Sequence, residues 1–249
     1  MTNKSSWLIF IMTVMVFAAS GQDLPSNAGS TNIKKSGKPN IPGSFVVDFG
    51  FNQPFDKDSL FDIAFWGSRT VNVYYQYDIR LWNSKFSIVP GIGLSLERYK
   101  LKNLHTLGYT TSGTEQNLTL LPVYTSLPDV RKSKLITNYI DIPLELRFST
   151  RPDDPARSFK ASIGGRIGYL YDAFTKVNYK ENGESKTFKD KQNFNLSRIR
   201  YGTFVKIGAG NFSVFAYYNL VPVFEEGEGP LPAKKDMKNF TAGISLSGF

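Results

Sequence analysis

Eight segments of this chain alternate apolar and polar residues over lengths that few soluble strands reach. They span 44–51, 70–81, 85–98, 134–148, 159–174, 194–209, 212–224 and 239–249. Successive side chains of a strand point to opposite faces, so each segment carries one oily and one wet face. An average strand holds about 5–6 residues, whereas a tilted strand needs about 9–11 to cross a bilayer. In 85–98, Phe86, Ile88, Ile92, Leu94 and Leu96 share one face and Ser87, Ser95 and Glu97 the other. In 134–148, Ile136, Ile140, Ile142, Leu144, Leu146 and Phe148 oppose Asp141, Glu145 and Arg147. In 159–174, Ile163, Ile167, Tyr169 and Tyr171 oppose Arg166 and Asp172.

The connections sort by parity. Those at 52–69, 99–133, 175–193 and 225–238 are long, and those at 82–84, 149–158 and 210–211 are shorter. A soluble sandwich has no reason to sort its loops this way. Small outer-membrane barrels have short periplasmic turns and long external loops. The expected fold is therefore all-β: an eight-stranded antiparallel up-and-down transmembrane β-barrel, with short periplasmic turns and long extracellular loops, in the outer membrane of a Gram-negative bacterium.

The same reading decides where the oily faces point. In a soluble barrel they would turn inward, with room for an apolar ligand; in a membrane barrel they meet lipid, and the polar faces fill the lumen. Large aromatics near segment ends (Tyr77, Phe148, Phe159, Tyr169, Tyr171, Phe212) suit interfacial girdles. Glycines on the wet face, Gly93, Gly164, Gly168 and Gly202 among them, suit a crowded interior. The wet face also carries charges of both signs. Asp48, Asp78, Glu97, Asp141, Glu145 and Asp172 stand against Arg80, Arg147, Arg166, Arg198 and Arg200, with Lys85, Lys160 and Lys206 beside them. Buried charges must be paired, and this set is expected to form a lumen charge network. Pro90 and Pro143 interrupt closed-sheet segments and predict bulges or irregularities. Segment 212–224 has Phe215, Tyr217, Val221 and Val223 on its inner face, so its parity is weaker.

Ahead of the barrel, Lys4, the apolar run 7–19 and the small residues 19–21 read as a signal peptide over 1–21. Residues 22–43, rich in Ser, Asn, Gly, Pro and Lys, read as a disordered periplasmic linker before a barrel domain over 44–249. The chain has no Cys, which excludes disulfides, thiol catalysis and a lipidated N-terminal Cys. Its formal charge of +9 is scattered over loops and strand faces, without the patch and module that nucleic-acid binding needs.

The stretches NYIDIPLELRFSTRPDDPARSFKASIGGRIGYLYDAFTK, YGTFVKIGAGNFSVFAYYNL and the C-terminal FTAGISLSGF resemble the PorT-like outer-membrane β-barrel proteins of the Bacteroidetes. YIDIPLEL and the closing strand ending in Phe carry most of the likeness, which extends over 45–249. The resemblance implies a barrel of about eight strands and a role beside type IX secretion or gliding motility. Phe249 departs from the family pattern: it shares register with Ser247, Ser245 and Gly243 rather than with Leu246, and a kink at Gly248 would restore it.

Sites of chemistry are sparse. His105 is the single histidine and lies in the second long loop; acyl chemistry on lipid would need a serine and an acid beside it. GGRIGY at 164–169 lacks the strand–turn–helix setting of a dinucleotide loop. The acidic stretches 224–238 and 151–157 lack calcium-loop spacing. No catalytic, cofactor-binding or metal-ligating set is expected. An eight-stranded lumen just holds its own side chains, so a non-enzymatic barrel with a plugged lumen, acting through its loops and protein partners, is expected; a lipid-modifying barrel enzyme or a narrow channel is the alternative. The second long loop carries Leu118, Leu120, Leu121, Val123, Tyr124 and Leu127, more apolar residues than a solvated loop needs. They are expected to fold over the barrel mouth or to bind a protein partner. Expected partners are outer-membrane lipid and other outer-membrane or periplasmic proteins.

Overall fold

The computed structural model describes residues 43–57, 61–112, 114–232 and 234–248. The expected signal peptide over 1–21, the linker over 22–43 except Gly43, and the terminal Phe249 lie outside the described residues.

The chain runs through β1 (Ser44–Phe55), β2 (Arg69–Gln76), β3 (Ile79–Arg80), β4 (Phe86–Leu101), β5 (His105–Ser112) and β6 (Glu115–Pro122). It continues through β7 (Val130–Ser149), β8 (Phe159–Glu181), β9 (Glu184–Asp190), β10 (Ile199–Ala209), β11 (Phe212–Asn219) and β12 (Lys238–Ser247). Eight of these strands close a ring. β1, β2, β4, β7, β8, β10, β11 and β12 pair with their chain neighbours in antiparallel fashion, and β12 returns to β1 with Val47 opposite Leu246. Closure leaves no open edge, so the spanning backbone can pair within the wall. β3 extends the β2 line along β4, β9 extends the wall beside β8, and β5–β6 is a separate hairpin.

Burial alternates along the ring strands as the sequence pattern requires. Ile140, Ile142, Leu144 and Leu146 of β7 are exposed, while Asp141 and Glu145 are buried. A wall that exposes Ile163, Ile167, Ile199, Ile207, Val214 and Ile244 is stable only against lipid. Aromatics ring its two ends. Tyr77, Trp82, Phe86, Phe159 and Phe212 stand exposed at the short-turn end, and Phe65, Trp66, Tyr169 and Tyr171 near the other.

Strand boundaries shift where local geometry overrides alternation. Segment 70–81 is interrupted after Gln76, opposite Pro90, and resumes as β3 in unchanged register. Pro143 opens the β4–β7 ladder between Pro90/Leu144 and Gly93/Asp141, again without a register shift, because proline has no N–H to give. The prolines thus mark the expected irregularities, as interruptions of the ladder rather than as bulges. Register shifts occur between β7 and β8 instead, one between Val130 and Lys132 and one where Asn138 faces Asp172 but Tyr139 faces Leu170. Residues 194–198 leave the strand because Phe194 and Asn195 adopt φ of 51° and 49°. β7 and β8 reach 20 and 23 residues and project beyond the membrane on the long-loop side.

Candidate functional site

The middle of the lumen is filled by a compact set of charges and phenols. Glu97 enters from β4, Asp141 from β7, Arg166 from β8 and Arg200 from β10, and all four are buried. Arg200 donates to Asp141 at 3.0 Å and bridges to Glu97. Arg166 lies 3.5 Å from Asp141 and 3.7 Å from Glu97. Each acid thus meets two guanidinium groups, as buried carboxylates require.

Tyrosines complete the set. Tyr74 receives a hydrogen bond from Arg166 at 2.7 Å and donates one to Asp141 at 3.1 Å. Tyr99 donates to Glu97 at 2.7 Å. The guanidinium carbon of Arg166 lies 3.5 Å from the ring centroid of Tyr217, and that of Arg200 lies 3.6 Å from Tyr139. Delocalised guanidinium groups stack on aromatic faces in this way. None of these tyrosines stands out in the sequence as a member of the lumen charge network. The weak parity of β11 was the available signal, because Phe215 and Tyr217 turn inward to pack with Phe204 and Arg166. Gly168 makes the arrangement possible: a Cβ there would collide with Asp141 Oδ1.

Below this set, Lys206 Nζ lies 3.3 Å from Asp48. Space of only about 10 Å³ remains between these residues, Tyr74 and Tyr217. One water needs at least about 10–15 Å³ by such a measure. At the short-turn end Arg147 joins Glu145 at 2.8 Å and Asp78 at 2.9 Å. Arg80 pairs with Asp153 of the turn at 2.7 Å. A vestibule of about 490 Å³ opens there, lined by Arg80, Arg147, Arg151 and Lys160.

Two expected members stand elsewhere. Asp172 turns outward, because the β7–β8 register shift reverses the parity of β8 above Tyr171. It pairs with Lys191 at 2.6 Å and accepts from Asn138 at 3.1 Å. Arg198 precedes β10, is exposed, and lines an outer groove with Asp172 and Lys191.

The long-loop end is closed by an apolar cap. Phe61, Ile63, Leu101, Leu107, Leu135, Phe194, Leu196, Phe224 and Met237 form one buried cluster drawn from all four long connections. Of the second-loop candidates, Leu118 and Leu120 of β6 belong to this cluster, and Val123 is buried. Leu121 and Leu127 are half-buried and line a 250 Å³ groove with Phe188 of β9. The Tyr124 side chain lies outside the described residues. Cross-links hold the cap: Leu231 N–H donates to the Leu118 carbonyl at 2.9 Å, and the Tyr109 hydroxyl to Asn195 Oδ1 at 2.9 Å. Burial pushes the Tyr109 phenol above its ordinary value. In the first loop, the hydrogen bond from Lys57 lowers the Asp62 carboxyl, aided by Lys102. His105 opens β5, with Nδ1 2.8 Å from the Asn103 carbonyl oxygen.

A family model described as outer membrane protein beta-barrel domain matches residues 28–225. No curated protein matches the chain. Among solved structures, the chain is similar to Ail, the attachment invasion locus protein of Yersinia pestis, solved with the heparin analogue sucrose octasulfate. Identity is 10%, coverage is 84% of this chain and 100% of that one, and the TM-score is 0.31. It is also similar to Neisserial surface protein A, at 12% identity over 83% of this chain and 97% of that one, with a TM-score of 0.35. The N-terminal β-barrel domain of Pseudomonas aeruginosa OprF gives 10% identity, coverage of 83% and 99%, and a TM-score of 0.28.

Proposed function

The chain belongs to the outer-membrane protein β-barrel family, and on that premise we propose that it is a non-enzymatic, non-conducting barrel that works through its extracellular cap and the proteins it meets there. It resides in the outer membrane of a Gram-negative cell. The observation that carries the proposal is the filled interior. Glu97, Asp141, Arg166, Arg200 and the stacked tyrosines occupy the lumen at membrane level, and the cap core closes it above. Among the described residues the lumen at membrane level leaves about 10 Å³, too little for a wetted ion path or for a substrate at that level. The cap has its own buried apolar cluster, and the groove beside Leu121, Leu127 and Phe188 offers an apolar seat to a partner's side chain. The likeness of YIDIPLEL to PorT-like proteins supports one specific form of this role: an accessory of type IX secretion or envelope assembly.

The test has three readings. In planar bilayers the purified protein adds no unit conductance, and stable current steps would overturn the sealed-lumen reading. Photo-crosslinking from position 127 in intact outer membranes yields one discrete protein adduct; only lipid or self adducts would remove the partner role. Membrane lipid composition is the same with His105→Asn as with the wild type; an altered acylation pattern would make the protein an enzyme.

A further inference from the structure

The outward apolar run of β7 climbs from Phe148 through Leu146, Leu144, Ile142 and Ile140 to Ile136. At about 3.3 Å per residue and a tilt of about 40°, it rises roughly 30 Å, the thickness of a hydrocarbon core. The next outward residue is Lys134. It stands opposite Lys100 of β4 on one side and Lys176 of β8 on the other, and Lys176 stands opposite Lys189 of β9. Four lysines therefore face one another across four adjacent strands, at the level where hydrocarbon gives way to headgroups. One step lower, Arg98 lies opposite Ile136 and Arg69.

Like charges directly opposite across strands are destabilising. Nearby cations avoid this cost: Lys102 pairs with Asp62, Lys186 with Glu181 and Lys191 with Asp172. Among the described residues, neither Arg98 nor any lysine of the row has an ion-pair partner. The row instead borders a groove of about 350 Å³ with an apolar floor of Leu96, Ile136 and Phe174. Ile136 faces outward yet is only 7% exposed, because long cationic stems flank it. Lys189 Nζ lies 5.7 Å from the Phe174 ring centroid, so the row bends over the groove.

The geometry points to a binding site for a phosphorylated lipid of the outer leaflet. Its phosphates sit on the lysine row, and the first methylenes of its acyl chains lie on Leu96, Ile136 and Phe174. An anion there removes the like-charge repulsion. The apolar floor continues the lipid-facing belt, so an amphiphile fits the groove better than a soluble anion does.

The test uses the full-length protein in neutral detergent, titrated with bisphosphorylated lipid A and read by native mass spectrometry. The wild type is expected to retain it about thirtyfold more tightly than K134Q/K176Q, the loss of two headgroup-level cations. A charge-matched K234Q/K235Q control retains it like the wild type. Chemically dephosphorylated lipid A does not distinguish the proteins. Because K134Q/K176Q relieves repulsion, it melts no lower than the wild type without lipid, and adding lipid A raises the wild type more. Equal retention by wild type and K134Q/K176Q overturns the site. So does equal loss in the control, or binding of inorganic phosphate with no difference in lipid retention.

Discussion

The membrane-level barrel and the projecting cap are built from the same strands with opposite polarity. In β4, Ser95 and Glu97 face inward at membrane level while Ile92 and Leu94 face lipid; above them Tyr99 and Leu101 face inward while Arg98 and Lys100 face out. β7 repeats the change, from inward Asp141 and Glu145 to inward Leu135, and β8 from inward Arg166 to inward Ala173 and Val177. The strand geometry is continuous, so the solvent outside accounts for the inversion. Against lipid the wall must be apolar, and the interior takes the polar groups; against water the ordinary arrangement returns. The level of inversion locates the membrane boundary, and the lysine row lies there.

Removing one partner from the lumen set gives the largest expected effect. R200M leaves Glu97 and Asp141 short of a cation and costs about 3–5 kcal/mol. Thermal unfolding in detergent, followed by the heat-dependent shift on a gel, reads this loss for the whole barrel. The cap breaks differently. F194A removes a fully buried ring from the apolar cluster, at about 3–5 kcal/mol, but the damage stays above the membrane. Protease nicks the β5–β6 hairpin while the barrel keeps its gel shift. Equal loss of the barrel would show that cap and lumen fold as one unit.

The outer wall sharpens the same contrast. I142R places a cation at mid-belt and costs about 2–4 kcal/mol in bilayers, falling toward zero for substitutions near the interface. Comparable stability of I142R and wild type after folding into vesicles would move the belt off these residues. The smallest effect is at Asp62 in the first loop. Its folded carboxyl is lowered, first by Lys57. Its contribution is therefore fully present above the ordinary carboxylate range and is lost as pH falls through the lowered folded value. Because the pair is part-exposed and screened, D62N lowers stability by at most about 1 kcal/mol at neutral pH and by nothing in strong acid. Protection of the first-loop amides from hydrogen exchange, compared at both pH values, checks the sign.

Alternation and loop parity made the fold legible, because a period of two is a local property that each segment carries alone. The inward positions of Asp48, Glu97, Asp141, Glu145, Arg166 and Arg200 followed from the same parity. What parity left open is where it changes: the β8 register shift that turns Asp172 outward depends on how β8 meets β7. Composition and alternation determined that eight strands would turn an oily face to lipid and a charged face inward. Only the tertiary structure decided that Arg200 meets Glu97 and Asp141, that Tyr217 stacks under Arg166, that four loops bury one apolar core, and that Lys100, Lys134, Lys176 and Lys189 share a row. Each of those facts is a register between strands distant in sequence. Register is set by packing the whole wall at once, which no single segment encodes.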